Sequence, residues 1–308
     1  MKTLRELGED AIVDGLVRLL PPQANSVQTG PGDDCAVIRE PGSKRLKLLK
    51  TDVVVEGIHF LAEEKMSRVG WKALSRAVSD IAAMGGTPEF ALITLLAPPE
   101  TAWERVKELY RGISRAARRF GVSVVGGETG RTTGPLVCNV ALTGWAAPER
   151  CVLRSGGRAG DVLFVTGRLG GSFQSGKHLD FTPRLKEAAW LVEHFLPSAM
   201  MDLSDGLATD GRRLAEASGC ELQLDITRIP RTRGCSVEQA LGDGEDFELL
   251  FAIAPDKVPR LLKAWSKVFP RLLLSEVGVL LDPKSARKKP DPSAQTLKIR
   301  GYDHFQES

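Results

Sequence analysis

Six short acidic clusters constrain this chain more than any other feature. They are Gly32-Asp33-Asp34, Thr51-Asp52, Ser79-Asp80, Gly126-Gly127-Glu128-Thr129, Asp202-Leu203-Ser204-Asp205-Gly206 and Gly244-Glu245-Asp246. Each sets a carboxylate beside glycine or a hydroxyl residue, where a strand pattern ends or a helix pattern begins. Most of the 39 Asp and Glu residues are ordinary surface charge. A carboxylate with a small neighbour differs, because a ligand can approach the backbone there. Hard oxygen ligands, supplied one or two at a time from many segments, are how proteins hold Mg²⁺ against phosphates. A fold that gathers Asp34, Asp52, Asp80, Asp202 and Asp205 carries strong mutual repulsion, which bound cations relieve. The pattern implies a Mg²⁺-dependent phosphoryl-transfer enzyme.

Composition narrows the remaining classes. A chain of 308 residues is long for one core, so two domains are expected. The net charge is only +3, with no dense Lys/Arg face and interleaved aromatics, which argues against a nucleic-acid partner. The basic stretch 284–289 lies among prolines and reads as a solvated loop. No run reaches the ~20 apolar residues that span a bilayer, so no membrane partner is expected. The polar first ten residues do not read as a secretory signal. Five cysteines, an odd number without CxxC spacing, suggest reduced thiols in a cytoplasmic protein rather than disulfides or zinc.

Periodicity predicts a mixed α/β chain with one amphipathic helix over 4–20. Strands are expected at 35–38, 46–55, 90–96, 122–125 and 136–145, and helices at 71–84 and 103–120. A stretch with Pro148, Gly156, Gly157 and Gly160 breaks the pattern, placing a boundary between domains 1–148 and 149–308. Beyond it, strands are expected at 161–166, 221–224, 247–253 and 272–280, with helices at 184–195, 204–218 and 256–268.

The segment Gly171-Ser172-Phe173-Gln174-Ser175-Gly176-Lys177 nearly matches a phosphate-binding loop. It fails at His178, where the Mg²⁺-binding hydroxyl should stand. The acidic residues have plain alternatives too. Asp33-Asp34 fits a turn pair, and Ser204 or Asp205 fits a helix cap. Asp80 fits an exposed helix charge, although its small apolar neighbours favour a buried or cleft-facing carboxylate.

The strings GPGDDCAVI (30–38), KTDVVVEGIHF (50–60), LSRAVSDIAAMGGTP (74–88), VVGGETGRT (124–132), RSGGRAGDVLFVTGRLG (154–170), MDLSDGL (201–207), GDGEDFELLF (242–251) and GYDHF (301–305) resemble the thiamine-monophosphate kinase family. They keep that family's order over nearly the whole chain. The family lies in the aminoimidazole-ribonucleotide-synthetase-like superfamily. The resemblance implies an α/β (α+β), two-domain fold: a ferredoxin-like N-terminal domain that pairs in a homodimer, and a C-terminal α/β domain. It implies that Asp34, Thr51, Asp52, Asp80, Glu128, Asp202 and Asp205 hold several Mg²⁺ ions. Tyr110, Gly127, Glu128, Arg154 and Ser204 match ATP-contacting positions, Tyr110 at the adenine. His59, Glu245 and Tyr302 match positions touching thiamine monophosphate.

Two departures stand out. Glu128 replaces the family's Asp in a Gly-Gly-Asp-Thr string, which keeps the charge but adds a methylene. Lys50 stands where a Ser or Thr usually precedes Thr51-Asp52, so a hydroxyl ligand is exchanged for a cation and altered metal stoichiometry is expected. The implied reaction converts ATP and thiamine monophosphate to ADP and thiamine diphosphate, with no catalytic base. The alternatives are another ATP-using member of the superfamily, of purine-synthesis, selenophosphate or hydrogenase-maturation type, or a non-catalytic nucleotide-binding homologue. The selenophosphate type would need a reactive Cys before Cys35, and the hydrogenase type a C-terminal Cys in place of Ser308.

Overall fold

The computed structural model describes residues 2–286 together with Tyr302 and Phe305. It opens on two short helices, α1 (Leu4–Leu7) and α2 (Glu9–Val17), where a single helix over 4–20 was expected. Gly8, at φ 76°, separates them, a conformation that glycine adopts without penalty. Thr3 closes α1 in a reciprocal capping box with Glu6. Neither helix buries a residue. The apolar spacing there marks a face, but among the described residues no core covers it.

The first sheet contains β1 (Val27–Thr29), β2 (Ala36–Arg39), β3 (Leu46–Val55), β4 (Thr87–Ala97), β5 (Ser123–Arg131) and β6 (Val137–Ala146). Their spatial order is β1-β2-β3-β6-β4-β5. Only β4 and β5 pair in parallel, because α4 (Trp103–Phe120) carries the chain back between them. Along β3, Leu46, Leu48 and Val54 are buried against α3 (Met66–Ala83), while Leu49, Thr51 and Val53 lie on the exposed face. Lys50 and Asp52 share the parity of the buried set and so point to the helix side.

The Gly126-Gly127 pair does not end β5 as expected; the strand runs on to Arg131. A Cβ on Gly127 would lie 1.8 Å from the Ile93 carbonyl oxygen. The glycine thus lets the edge strand press onto β4 beside an irregular step in the pairing.

The second sheet has β7 (Val162–Thr166), β8 (Ala199–Asp202), β9 (Glu221–Leu224), β10 (Leu249–Ile253) and β11 (Leu274–Leu281), in the order β8-β10-β7-β11-β9. Between β7 and β8 lie α5 (Ser172–Ser175), α6 (Lys177–Asp180) and α7 (Leu185–His194); later come α8 (Leu207–Ala217), α9 (Val237–Gly242), α10 (Val258–Val268) and α11 (Pro283–Ala286). One face packs Leu163, Val165 and Met201 against α8 and α9. The other packs Phe164, Met200 and Phe251 against α7 and α10. With both faces covered, β8 and β10 are buried along their whole length, hence the unbroken apolar runs of Leu249–Ile253 and of β8 up to Asp202. Ala82 and Ala83, at the end of α3, belong to this second core. The helix that covers the first sheet therefore also abuts the second, and Ser79-Asp80 arrives beside the end of β8.

The crossing of α3 and α4 depends on two glycines. A Cβ at Gly70 would lie 1.9 Å from the Leu109 carbonyl oxygen, and one at Gly112 would lie 2.1 Å from that of Ser67. Backbone cannot yield as a side-chain tip does. Gly112→Ala should destabilise the protein by about 3 kcal/mol, at the upper end of overpacking costs. A fall in the urea midpoint at unchanged slope measures it; an unaltered midpoint would show that the helices can separate freely.

Candidate metal and nucleotide site

Three carboxylates from three distant segments converge where α3 meets both sheets. Ligand oxygens of Asp34 (just before β2), Asp80 (on α3) and Asp202 (the last residue of β8) lie within 4.8 Å of one another, and all three residues are buried. Asp52 joins from β3 through a shared lysine: Lys50 Nζ donates to Asp80 Oδ1 at 2.7 Å and stands 3.9 Å from Asp52 Oδ2. Arg154 grips Asp34 Oδ1 with Nε at 3.1 Å and Nη2 at 2.5 Å. Its backbone N–H donates to Asp33 Oδ2 at 3.1 Å.

Buried carboxylates are tolerable only with such partners. Even so, burial, reinforced by Asp34, pushes Asp202 up to about 7. Burial pushes Asp33 up to about 6, again with Asp34 adding to it. Asp80 is raised by burial, which Lys50 opposes and Asp52, Asp202 and Asp34 reinforce. Burial works against the Lys50 ammonium, but Asp52 and Asp80 outweigh it and raise its pKa.

A second layer lies beside the first. Lys72, Arg76 and Asp80 follow one another at four-residue intervals along one face of α3. Arg76 sits 3.8 Å from Asp52 and 3.7 Å from Glu245. Lys72, fully buried, pairs with Glu245 and donates to the His59 carbonyl at 2.7 Å. Burial lowers Lys72 to about 8. His59 Nδ1 accepts from the Val55 N–H at 3.1 Å. Glu245 sits at φ 55°, a strained conformation held by its N–H donating to the Ser204 carbonyl. The loop bearing Ser204 and Asp205 is pinned from below, as both N–H groups donate to Asp210, at 3.0 and 2.9 Å. Arg213 closes onto Asp205 and also reaches Asp10 of α2 at 2.9 Å. The Tyr302 N–H donates to the Asp205 carbonyl at 3.1 Å. Its neighbours Gly301, Asp303 and His304 lie outside the described residues.

The site residues expected from sequence thus fall into two groups. Asp34, Asp52, Asp80, Asp202, Asp205, Arg154, Ser204, His59, Glu245 and Tyr302 form one connected set. Thr51 does not join Asp52: successive strand residues point to opposite faces, and its hydroxyl donates to Asn139 at 3.0 Å on the exposed face. Glu128 is exposed and in register with Thr94 on that same outer face. Gly127 aligns with Ile93 beside it. Tyr110 lines a cleft of about 630 Å³ with Leu95, Trp103, Lys107 and Thr129. Asp246 turns away altogether, accepting from Gly170 N–H and Ser172 Oγ at 2.9 and 2.7 Å. It pins the phosphate-loop lookalike, whose Lys177 is held by Asp246 and Glu248 at 3.2 and 3.3 Å, so that lysine is committed to carboxylates. Sequence reasoning missed Lys72, Arg76 and Asp210. The four-residue spacing of Lys72 and Arg76 ahead of Asp80 was the available signal.

Divalent cations suit this donor set. Asp34 Oδ2 and Asp52 Oδ2 are buried and accept no hydrogen bond, leaving bare anionic oxygens in an all-oxygen nest of the kind Mg²⁺ prefers.

Residues 32–146 match the domain family described as AIR synthase related protein, N-terminal domain. A thiamine-monophosphate kinase of Rhodopirellula baltica is 39% identical over 80% of this chain and 81% of its own length. One of Aquifex aeolicus is 32% identical over 98% of this chain and 99% of its own. The solved structure of AaThiL complexed with AMPPCP and TMP superposes with a TM-score of 0.78 at 31% identity, covering 91% of this chain and 93% of that one.

The raised carboxylates set a pH dependence. Asp202 titrates near 7 when folded against an ordinary 3.8, so the folded chain binds more protons across that interval. Its stabilising contribution is full below about pH 4 and is lost as pH rises through about 7. In EDTA, the wild type should lose melting temperature between pH 5 and 8 relative to Asp202→Asn. Mg²⁺ should restore it most at pH 8. Parallel melting profiles for the two proteins would contradict this.

Proposed function

Because the chain belongs to the thiamine-monophosphate kinase family, we propose that its carboxylate nest holds Mg²⁺ against the phosphates of ATP while the terminal phosphoryl group passes to thiamine monophosphate. The observation that carries this reading is the convergence of Asp34, Asp80 and Asp202 within 4.8 Å. The products are ADP and thiamine diphosphate. In the AaThiL structure an ATP analogue and TMP are bound together, which supports a ternary complex.

A phosphate oxygen of thiamine monophosphate is the nucleophile. With a second pKa of about 6, that phosphate is largely dianionic at neutral pH and needs no general base. It attacks the γ-phosphorus in line, and the bond to the β,γ-bridging oxygen breaks. The barrier is repulsion between two polyanions. Asp34, Asp80 and Asp202 would hold Mg²⁺, with Asp52 and Asp205 adjoining them. Once bound, the metal neutralises and orients phosphate oxygens. Lys50, Arg76 and Arg154 contribute fixed positive charge around the same space. Lys72 and Arg76, beside His59, Glu245 and Tyr302, form the cationic wall suited to the acceptor phosphate. Tyr110 and the cleft it lines suit the adenine, with Thr129 of the edge strand among its lining.

The exposed face of the first sheet carries Leu49, Val53, Phe90 and Leu92, with Val124 and Val125 on the edge strand. An apolar surface of this kind marks an interface, and we assign it to a second copy of the chain. Thr51 and Glu128 lie on that face, so any metal contact they make belongs to the assembled homodimer. Residues 1–148 and 149–308 are the two domains, each built on its own sheet. No helix among the described residues is long and apolar enough to cross a membrane, and the free thiols suit the cytoplasm.

A coupled ADP-release assay tests the reaction: ADP should form only when thiamine monophosphate is present, and no phosphorylated protein should accumulate. Asp80→Asn and Asp202→Asn should each lower kcat by about 10²-fold or more, in line with the loss of a transition-state charge stabiliser. Arg76→Met should instead raise KM for thiamine monophosphate with a smaller change for ATP. ADP release at wild-type rate from either Asn variant would refute the assignment of the nest.

A further inference from the structure

The nest has two lobes, and they are not equivalent. Asp34, Asp80 and Asp202 enclose one, with oxygens within 4.8 Å of each other. Asp80 and Asp52 face each other across the second, and the Lys50 ammonium lies between them, 2.7 Å from Asp80 Oδ1 and 3.9 Å from Asp52 Oδ2. Lys50 and Asp52 are two residues apart on β3, so the strand pleat sends both side chains the same way. The ammonium is therefore aimed into the lobe by backbone geometry. Asp52 Oδ2 accepts no hydrogen bond; its attraction to Lys50 is purely that of charges at close range. A divalent ion bridging Asp52 and Asp80 would need the volume that the ammonium fills. The two exclude each other, since an ammonium has three donors and no lone pair to offer a metal.

We propose that Lys50 is a resident cation of the site: it occupies the Asp52–Asp80 lobe in place of a divalent ion and leaves only the Asp34–Asp80–Asp202 lobe, with the nucleotide, to be filled by metal. This rests on reading the nest as a metal–nucleotide site. The consequence is an active centre part of whose positive charge is covalently attached and does not vary with metal supply. It also keeps Asp52 and Asp80 from repelling each other before metal arrives.

Mn²⁺ binding to the full chain, counted by electron paramagnetic resonance in the presence of AMPPCP, tests the proposal. Lys50→Ser should bind one ion more per chain than the wild type. In EDTA the variant should melt below the wild type, and Mn²⁺ should close that gap. Equal ion counts would overturn the role of Lys50 while leaving the nest intact. Absence of nucleotide-dependent Mn²⁺ binding to the wild type would overturn both. Should Lys50→Ser fail to fold, anomalous scattering from Mn²⁺ and AMPPCP in wild-type crystals decides. A peak at the Asp34–Asp80–Asp202 lobe with none between Asp52 and Asp80 supports the resident cation, and a peak between them with Lys50 displaced refutes it.

Discussion

Charge compensation around four inward-facing carboxylates is the constraint on which the rest of this structure depends. Asp34, Asp52, Asp80 and Asp202 come from four separate segments, and their mutual repulsion must be offset wherever the chain brings them together. Lys50, Arg76 and Arg154 do so within the protein, at distances from 2.5 to 3.9 Å. The offset is incomplete, as the bare oxygens of Asp34 and Asp52 show. That shortfall is what the proposed divalent cation and polyphosphate would exploit. A nest fully neutralised by protein groups would have no affinity left for metal, and one without internal cations would strain against folding.

Helix α3 turns that electrostatic arrangement into architecture. It packs on the first sheet, crosses α4 at glycine-to-backbone distance, and reaches the second core through Ala82 and Ala83. Its polar face carries Lys72, Arg76 and Asp80 in succession, so one rigid element sets the spacing between two cations and a carboxylate of the nest. Beneath it, Asp210 fixes two consecutive backbone N–H groups of the Ser204-Asp205 loop, and the strained Glu245 backbone holds its carboxylate against Lys72. Preorganisation of this kind matters most where chemistry depends on position and charge and not on a base.

Burial against two cores also explains why the nest tolerates raised pKa values. Asp202 terminates a strand buried on both faces, where water cannot solvate the charge. Its elevated titration is the local cost of placing a carboxylate at the end of a core strand. The proposed cation would recover that cost, which would link metal occupancy to the stability of the interface between the halves.

The acidic residues beside glycine or hydroxyl neighbours were legible in the primary structure, as were most strands and helices, because period-2 and period-3.6 patterns report burial locally. Family-like strings singled out Arg154, Ser204, His59 and Glu245 as site candidates, which no periodicity reveals. Three things needed the tertiary structure. One helix over 4–20 was a fair reading of apolar spacing, yet whether a neighbour covers that face is non-local. Thr51 and Asp52 adjoin in sequence but part across the sheet, since pleating separates consecutive side chains. The place of Lys50 between Asp52 and Asp80 depends on how β3 meets α3, a contact between residues thirty positions apart. Sequence by itself determined which groups were available and in what local frame. Only the packing of one helix between two sheets decided which of them share a space, because Coulombic and steric interactions act through distance and not along the chain.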